Sequence, residues 1–452
     1  MSRYPTSLLT QPAFRSTHPL LGTEYDNMLA CIRCGLCLTS CPTYVLSMHE
    51  SEGPRGRVGM ARALAEGHLQ VTPDLVEHEL NCLVCDACSA VCPAGVHMDP
   101  LQVRLRSAIE PDMQRPWRER LLRGLVFGWL FMDMARFRLV ARLLWVYQRS
   151  GARWLARRLG LLRVLGLGSS EQLLPDVPTR FLVPSDDVYP ASPGAGREVA
   201  FFAGCVMSTA LADIDRATIR VVQRAGHTVR NPRGQGCCGA LHAHSGDLRR
   251  ALELARANIA VFEATDGPIV VNSAGCGAML KDYAHHFRED SGWAQRAQSF
   301  SARVKDLSEV LAPESLPMRK PIAARVVYQD ACHLLHAQRI SRQPRDLLRR
   351  IPGLELTEIA DAGLCCGSAG VYNVTNPVQS RQLQQRKLDN ALAADPHIIV
   401  TANPGCLLQL RAGLSERHSR VKVVHLAELL DTATAPPSDA SSPAEPTGGS
   451  RR

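Results

Sequence analysis

Apolar and polar positions follow three rhythms along this chain. In the first 110 residues the spacing is helical: residues 25–30 begin one helix, Arg57-Val-Gly-Met-Ala-Arg-Ala-Leu-Ala-Glu66 reads as another, and residues 74–80 as a third, entered through Thr72 as cap and Pro73 in the first turn. Between 115 and 163 the two sides of the pattern differ in character. Leu139, Val140, Leu143, Leu144 and Tyr147 share one helical face, Arg138, Arg142 and Arg149 the other, and Leu122, Leu125, Val126, Trp129 and Leu130 repeat the apolar spacing upstream. This is a basic amphipathic segment. Its longest apolar run, residues 124–132, has nine residues, against the roughly 20 that a spanning helix needs. It therefore lies on a membrane surface, against a partner subunit, or between two domains.

From residue 197 the rhythm changes again. Four apolar, β-rich runs each end just before a cysteine and hand over to a helical pattern: Glu198-Val-Ala-Phe-Phe-Ala203 before Cys205, Pro268-Ile-Val-Val-Asn272 before Cys276, Ala324-Arg-Val-Val-Tyr328 before Cys332, and His397-Ile-Ile-Val-Thr401 before Cys406. Strand and helix alternating in this way predict parallel sheets. The cysteines expose a repeat. Gly204-Cys205, Gly236-Cys237-Cys238-Gly239 and Gly275-Cys276 return as Ala331-Cys332, Leu364-Cys365-Cys366-Gly367 and Gly405-Cys406, at offsets of 127, 128 and 130 residues. The expected fold is thus α+β and multidomain. An N-terminal α-helical ferredoxin domain (1–110) is followed by basic amphipathic helices and a linker (111–196, the linker proper at 165–196). Two repeated α/β cysteine-rich domains with parallel sheets come next (197–320 and 321–431), then a disordered tail rich in Pro, Ser, Ala and Gly (432–452).

The ferredoxin expectation rests on two stretches, Cys31-Ile-Arg-Cys34-Gly-Leu-Cys37-Leu-Thr-Ser-Cys41-Pro42 and Cys82-Leu-Val-Cys85-Asp-Ala-Cys88-Ser-Ala-Val-Cys92-Pro93. Each is C-x2-C-x2-C-x3-C-P. Three thiolates in one loop grip three corners of an iron-sulfur cube, and the fourth cysteine serves the other cube. This assigns Cys31, Cys34, Cys37 and Cys92 to one [4Fe-4S] cluster, and Cys82, Cys85, Cys88 and Cys41 to a second. A zinc ribbon pairs two C-x2-C knuckles and has no use for a third cysteine at this spacing. The 40 residues between Cys41 and Cys82 exceed what a compact bacterial ferredoxin allows and account for the extra helices. Glu52, Arg55 and Arg57, just after the first loop, either steady the clusters' negative charge or pair with one another on a solvated surface.

Sixteen cysteines would suit a secreted disulfide protein only behind a signal peptide, and residues 1–18 contain no apolar core segment. The expectation is a reducing cytosol and metal-bound thiols. The formal charge of +9, from 52 Lys+Arg against 43 Asp+Glu, is a modest excess and does not indicate nucleic-acid binding; much of it comes from 115–163, which holds twelve arginines and no lysine.

In each repeat the four cysteines (Cys205, Cys237, Cys238, Cys276; Cys332, Cys365, Cys366, Cys406) fall at strand-to-helix turns, so they can converge at the carboxyl ends of the strands beside helix N-termini. A further iron-sulfur cluster, a zinc ion, a reducible disulfide or inert burial would each fit such a set. Histidines cluster nearby as His242 and His244, His285 and His286, His333 and His336. Gly234-Gln-Gly236-Cys-Cys-Gly239 matches the dinucleotide pattern G-x-G-x-x-G, but its counterpart in the second repeat lacks the first two glycines and no acidic ribose partner follows. No flavin or hydride site is recognisable, and no catalytic residue is assigned.

Taken together, Glu52-Gly-Pro-Arg-Gly-Arg57, Asn272-Ser-Ala-Gly-Cys-Gly-Ala-Met-Leu-Lys-Asp-Tyr283, Asp330-Ala-Cys-His-Leu-Leu-His-Ala-Gln338 and Leu364-Cys-Cys-Gly-Ser-Ala-Gly370 resemble the iron-sulfur subunit family of glycolate oxidase (glycolate dehydrogenase) over residues 20–430. The wider group with paired "CCG" domains includes lactate utilisation, anaerobic glycerol-3-phosphate dehydrogenase and heterodisulfide reductase subunits, any of which is the alternative, as is a non-enzymatic iron-sulfur sensor. The resemblance implies FAD on partner glycolate oxidase subunits only, where glycolate becomes glyoxylate, with this chain passing electrons through two [4Fe-4S] clusters toward quinone or another membrane acceptor. It also implies a cytoplasmic protein, peripheral on the cytoplasmic face of the inner membrane. Heterodisulfide reductase closes its CCG pattern with C-x2-C, whereas this chain has Met279 and Gln409 at those positions, which argues against a five-cysteine noncubane cluster and leaves a four-ligand cluster or zinc in each copy.

Overall fold

The computed structural model describes residues 18–160, 171, 174–192 and 196–436. Its N-terminal part is helical. Helices Tyr25–Leu29, Pro54–Ala65, Pro73–Leu80 and Met98–Ile109 bury Leu21, Met28, Ala61, Leu75, Leu101 and Leu105 in one core. Pro54 and Pro73 open two of these helices, and Pro42, directly after Cys41, opens a further helix, Pro42–Ser47, each where its missing N–H costs nothing. The expected cap at Thr72 is present, its Oγ1 accepting from the Leu75 N–H at 3.2 Å.

The second half contains two sheets of related topology. The first has strands in the order β1-β3-β2-β4-β5, with β1 Asp187–Tyr189, β2 Glu198–Phe201, β3 Thr228–Asn231, β4 Ile269–Val271 and β5 Val304–Asp306. The second runs β7-β6-β8-β9, with β6 Ala324–Tyr328, β7 Leu354–Thr357, β8 Ile398–Thr401 and β9 Lys422–His425. Without β1 the two orders correspond strand for strand, and all these pairings are parallel, Ala200 opposite Ile269 in one copy and Val327 opposite Ile399 in the other. All four apolar runs that precede cysteines are strands. One element differs from the sequence expectation: β1 comes from the stretch read as linker and pairs antiparallel with β3, Val188 opposite Arg230, as an edge strand. The last helix, Leu426–Thr434, runs past residue 431, where the tail was expected to begin, because Leu429, Leu430 and Ala433 pack into the second sheet's core; residues 437–452 lie outside the described residues.

The two copies meet through the carboxyl ends of their sheets. The Ala274 N–H donates to the Ala402 carbonyl at 3.1 Å, the Gly275 N–H donates to Asn403 Oδ1 at 3.1 Å, and His425 Nε2 lies 2.9 Å from the Asn272 carbonyl oxygen. The ferredoxin part touches both copies, Arg104 Nη2 donating to the His286 carbonyl at 3.3 Å and Asn81 Oδ1 accepting from Asn376 Nδ2 at 2.7 Å.

The basic segment forms helices Trp117–Arg123, Met134–Arg149 and Ala152–Arg158, with a π-helical stretch at Gly124–Leu130. Its inner side rests on the first cysteine-rich domain through Phe127, Phe131, Met132, Met134 and Phe137. The apolar stripe read from the sequence does not point there: Leu139, Val140 and Leu143 are exposed, and Ala141 is the buried residue of its helix. Periodicity had located a stripe without saying which side the protein would cover. Among the described residues no helix is long and apolar enough to cross a membrane.

Candidate functional site

The two C-x2-C-x2-C loops follow the same backbone path. Arg33 and Gly35 in the first, and Val84 and Asp86 in the second, all take left-handed conformations, with φ of 59°, 83°, 49° and 61°. A β-branched residue such as Val84 rarely accepts that region, so the loop holds strain where it must wrap a ligand. One cavity is lined by Cys31, Cys34, Cys37 and Cys92, and by Cys88, which lines the second cavity as well. A second is lined by Cys82, Cys85, Cys88 and Cys41. Each cavity therefore draws its last sulfur from the opposite motif. Burial pushes the Cys88 thiol well up, and the neighbouring sulfurs of Cys85, Cys82 and Cys41 push the same way. In the second set Cys41 and Cys85 are buried and Cys82 and Cys88 half-buried; four cysteine sulfurs around one cavity are a donor set that fits an iron-sulfur cube.

Arg57 settles the two readings of the Glu52–Arg57 stretch. It is 1 % exposed, and its guanidinium donates to Glu52 Oε2 at 2.7 Å, the Glu52 carbonyl at 2.7 Å, Thr43 Oγ1 at 3.0 Å and the His78 carbonyl at 3.0 Å, with Cys41 Sγ at 3.9 Å. Arg57 thus places a buried positive charge against the second sulfur set. Arg55 pairs with Glu50, Nε to Oε1 at 2.6 Å, and lines the first sulfur cavity, donating to the Arg33 carbonyl at 3.1 Å.

Two buried groups here gave no sequence signal. Arg106 spans domains, donating to the Cys82 carbonyl at 2.5 Å, the Glu79 carbonyl at 3.0 Å and the His244 carbonyl at 2.6 Å. Glu79 is fully buried and accepts from Gln102 Nε2 at 2.7 Å. Burial pushes its carboxyl up to about 7 from an ordinary 4.5, against the opposing pull of Arg57 and Gln102. With the folded value raised, the folded chain holds this proton more tightly than the unfolded one. That stability is fully present below pH 4.5 and is lost as pH rises through 7, a loss of about 3 kcal/mol. Glu79→Gln is therefore expected to unfold later than the native chain at pH 8 and at the same denaturant concentration near pH 5; parallel pH profiles would contradict this.

In each cysteine-rich copy the four predicted sulfurs converge. Cys205 and Cys237 Sγ lie 3.8 Å apart, Cys238 and Cys276 Sγ 3.3 Å apart. Hydrogen bonds from Cys205 and Cys238 hold the Cys237 thiol well below its ordinary value. In the second copy hydrogen bonds from Cys365 do the same for Cys332, and those from Cys365 and Cys406 for Cys366. The same contacts push Cys205 and Cys238 in the first copy and Cys365 and Cys406 in the second well up, so in each copy the sulfurs share protons at the crevice where strands end, and four such sulfurs are a donor set that fits a metal ion or cluster. The glycine after each vicinal pair is required by geometry. Gly239 and Gly367 have φ of 87° and 84°, and a Cβ would fall 3.1 Å from the Ala251 carbonyl oxygen and 2.5 Å from that of Ser380. The G-x-G-x-x-G match accordingly shapes a cysteine turn: the Gly236 N–H donates to Asn258 Oδ1 at 2.9 Å.

The other singled-out residues separate by partner. His242 Nε2 lies 2.9 Å from the Phe127 carbonyl oxygen, His285 Nε2 2.8 Å from Glu24 Oε1, and His336 Nε2 2.9 Å from the Gly363 carbonyl oxygen. Burial lowers the His286 imidazole to about 4, so it is neutral. His244 and His333 stack on one another. Met279 and Gln409 are buried, Gln409 Nε2 donating to Ser380 Oγ at 3.0 Å.

Comparison with known proteins agrees with this architecture. Residues 30–96 match the 4Fe-4S dicluster domain family, 199–281 and 326–411 the cysteine-rich CCG domain, and 118–174 the linker region of the glycolate oxidase iron-sulfur subunit. A dicluster region joined to paired CCG domains defines a class of iron-sulfur proteins. The chain is 40% identical to the probable glycolate oxidase iron-sulfur subunit of Bacillus subtilis, over 90% of this chain and 94% of that one. It is 32% identical to the glycolate oxidase iron-sulfur subunit of Escherichia coli, over 91% and 95%. Lactate utilization protein A of an Exiguobacterium species is 29% identical over 52% of this chain and 96% of that protein. The chain belongs to the glycolate oxidase iron-sulfur subunit family.

Proposed function

We propose that this chain is the electron-transfer subunit of a glycolate dehydrogenase complex. It takes electrons singly from the flavin of an FAD-binding partner that oxidises glycolate to glyoxylate, and passes them toward a quinone-type acceptor. Cys31, Cys34, Cys37 and Cys92 hold one [4Fe-4S] cluster and Cys82, Cys85, Cys88 and Cys41 the other. The observation that carries this reading is the pair of adjoining cavities, each lined by sulfurs of both motifs. Crossed ligands keep two cubes adjacent, as a relay requires. The route continues inward, because Cys85 packs with Cys332 and Cys365 in one small core together with Leu83 and Tyr372. Cys205, Cys237, Cys238 and Cys276, and Cys332, Cys365, Cys366 and Cys406, each hold a further cluster or a zinc ion, and their sulfurs lie where the relay would end. Mixing the assembled complex with glycolate tests this: flavin reduction followed by bleaching of the cluster absorbance is expected, and bleaching that glycolate cannot elicit would sink it.

The basic segment is the proposed contact with the membrane surface. Leu121, Leu122, Leu125, Leu139 and Leu143 are exposed, and Arg118, Arg136 and Arg158 lie over the rings of Trp117, Trp129 and Trp154 at 5.1–5.5 Å. Exposed apolar side chains flanked by arginines suit an anionic lipid interface. Flotation with phosphatidylglycerol vesicles is expected to carry the native chain and to lose a Leu139→Ser/Leu143→Ser variant at least ~10-fold; equal flotation of the two would contradict it.

A further inference from the structure

Apart from the sixteen cysteines, one cluster of metal-binding atoms among the described residues draws on all three domains. Asp99 stands in the first turn of helix Met98–Ile109, His244 ends helix Ala240–His244 of the first CCG copy, and His333 follows Cys332 in the second. Their ligand atoms all lie within 4.8 Å of one another. Asp99 is 6 % exposed. Its Oδ1 is 3.8 Å from His244 Nε2 and its Oδ2 3.9 Å from His333 Nε2, and the two imidazoles stack with centroids 5.6 Å apart.

Two details point to a cation site. His333 Nδ1 faces Cys332 Sγ at 3.7 Å, while its Nε2 is buried with no hydrogen-bond partner among the described residues. That Nε2 atom faces the Asp99 carboxylate at 3.9 Å, too far for a hydrogen bond. Asp86 and Asp282 also lie within electrostatic reach of Asp99, so three acids gather around the two imidazoles at a domain junction.

We propose that Asp99, His244 and His333 form a mononuclear site for a divalent first-row transition-metal ion, zinc or iron(II), separate from the iron-sulfur clusters. Two imidazoles and a carboxylate are a ligand set both ions accept. Bonds near 2.1 Å bring tetrahedral donors to roughly 3.3 Å from one another, so the two carboxylate–imidazole separations close by about half an ångström and a separation at the 4.8 Å limit of the set by about 1.5 Å. His244 also lines a cavity of about 420 Å³ beside Cys82 and Tyr372, which gives the ion an entry path and water for its fourth position. With one donor from each domain, the ion fastens the ferredoxin part to both CCG copies. The site takes no cysteine as a ligand, while His333 also faces Cys332 Sγ at 3.7 Å.

The test counts metal on the full-length chain, purified without oxygen and with its clusters in place. After equilibration with micromolar Zn²⁺ and removal of loosely bound ion, the native chain is expected to keep one zinc more than Asp99→Asn or His244→Ala, with iron and acid-labile sulfide equal in all three. If the native site already holds iron, the native chain instead carries one iron in excess of its sulfide and the variants do not. Equal zinc and equal iron-to-sulfide ratios in native and variant chains overturn the proposal. Should the substitutions disturb the clusters, anomalous diffraction from the zinc-equilibrated native protein decides: a zinc or iron peak between Asp99 and the two imidazoles supports the site, and its absence overturns it.

Discussion

Cys82→Ser is expected to leave flavin reduction by glycolate intact in the assembled complex while electron delivery to quinone or an artificial acceptor falls by more than ~100-fold. Groups that merely support a metal ligand are worth ~10–100-fold, and here a ligand itself is lost. Cys82 lines the second sulfur cavity with Cys41, Cys85 and Cys88, and its carbonyl is held by Arg106. The substitution therefore strikes the cluster nearest Cys332 while leaving the first loop's three sulfurs in place. Separate readouts for flavin and acceptor localise the defect. Undiminished acceptor reduction would remove the assignment.

The second large effect belongs to Arg57. Arg57→Leu strips the Glu52 carboxylate of its buried guanidinium partner and leaves the Glu52 carbonyl, Thr43 Oγ1 and the His78 carbonyl without that donor. Breaking one side of a buried pair costs about 3–5 kcal/mol. Removing a positive charge beside Cys41 also disfavours the reduced, more negative cluster, so the potential of the second cluster moves down. Arg57→Lys, which keeps the charge and loses the fork, is expected to recover much of the potential and less of the stability. Denaturation midpoints and a redox titration measure the two effects separately. A variant with native stability and native potential would show that Arg57 is a spectator.

The features legible in the sequence were those that local pattern fixes. C-x2-C-x2-C-x3-C-P announces its chemistry because the three loop sulfurs need only a few residues of chain to converge. The runs before Cys205, Cys276, Cys332 and Cys406 became strands β2, β4, β6 and β8 because each apolar stretch had to be covered on both faces. Features that depend on which surfaces meet were hidden. Asp99, His244 and His333 lie 145 and 89 positions apart in sequence; both histidines stood out near the cysteine turns, but nothing in the pattern joined them to Asp99. Arg106 looked like one more charge on a helix, yet it is buried and joins the Cys82 loop to the first CCG copy. Strand β1 has the composition of a linker and gains its structure from the free edge of β3. The stripe at Leu139, Val140 and Leu143 was periodic enough to predict a helix, but periodicity is unchanged by rotating that helix half a turn.

The account rests on two adjacent [4Fe-4S] clusters held by the first eight cysteines. The most direct measurement is an iron and acid-labile sulfide count on the oxygen-free chain, combined with electron paramagnetic resonance of its reduced form. The account predicts a brown protein with at least about eight iron and eight sulfide, and a spectrum broadened by magnetic coupling between neighbouring reduced clusters. A colourless chain with zinc and no labile sulfide would contradict it, as would one whose reduced clusters showed no coupling.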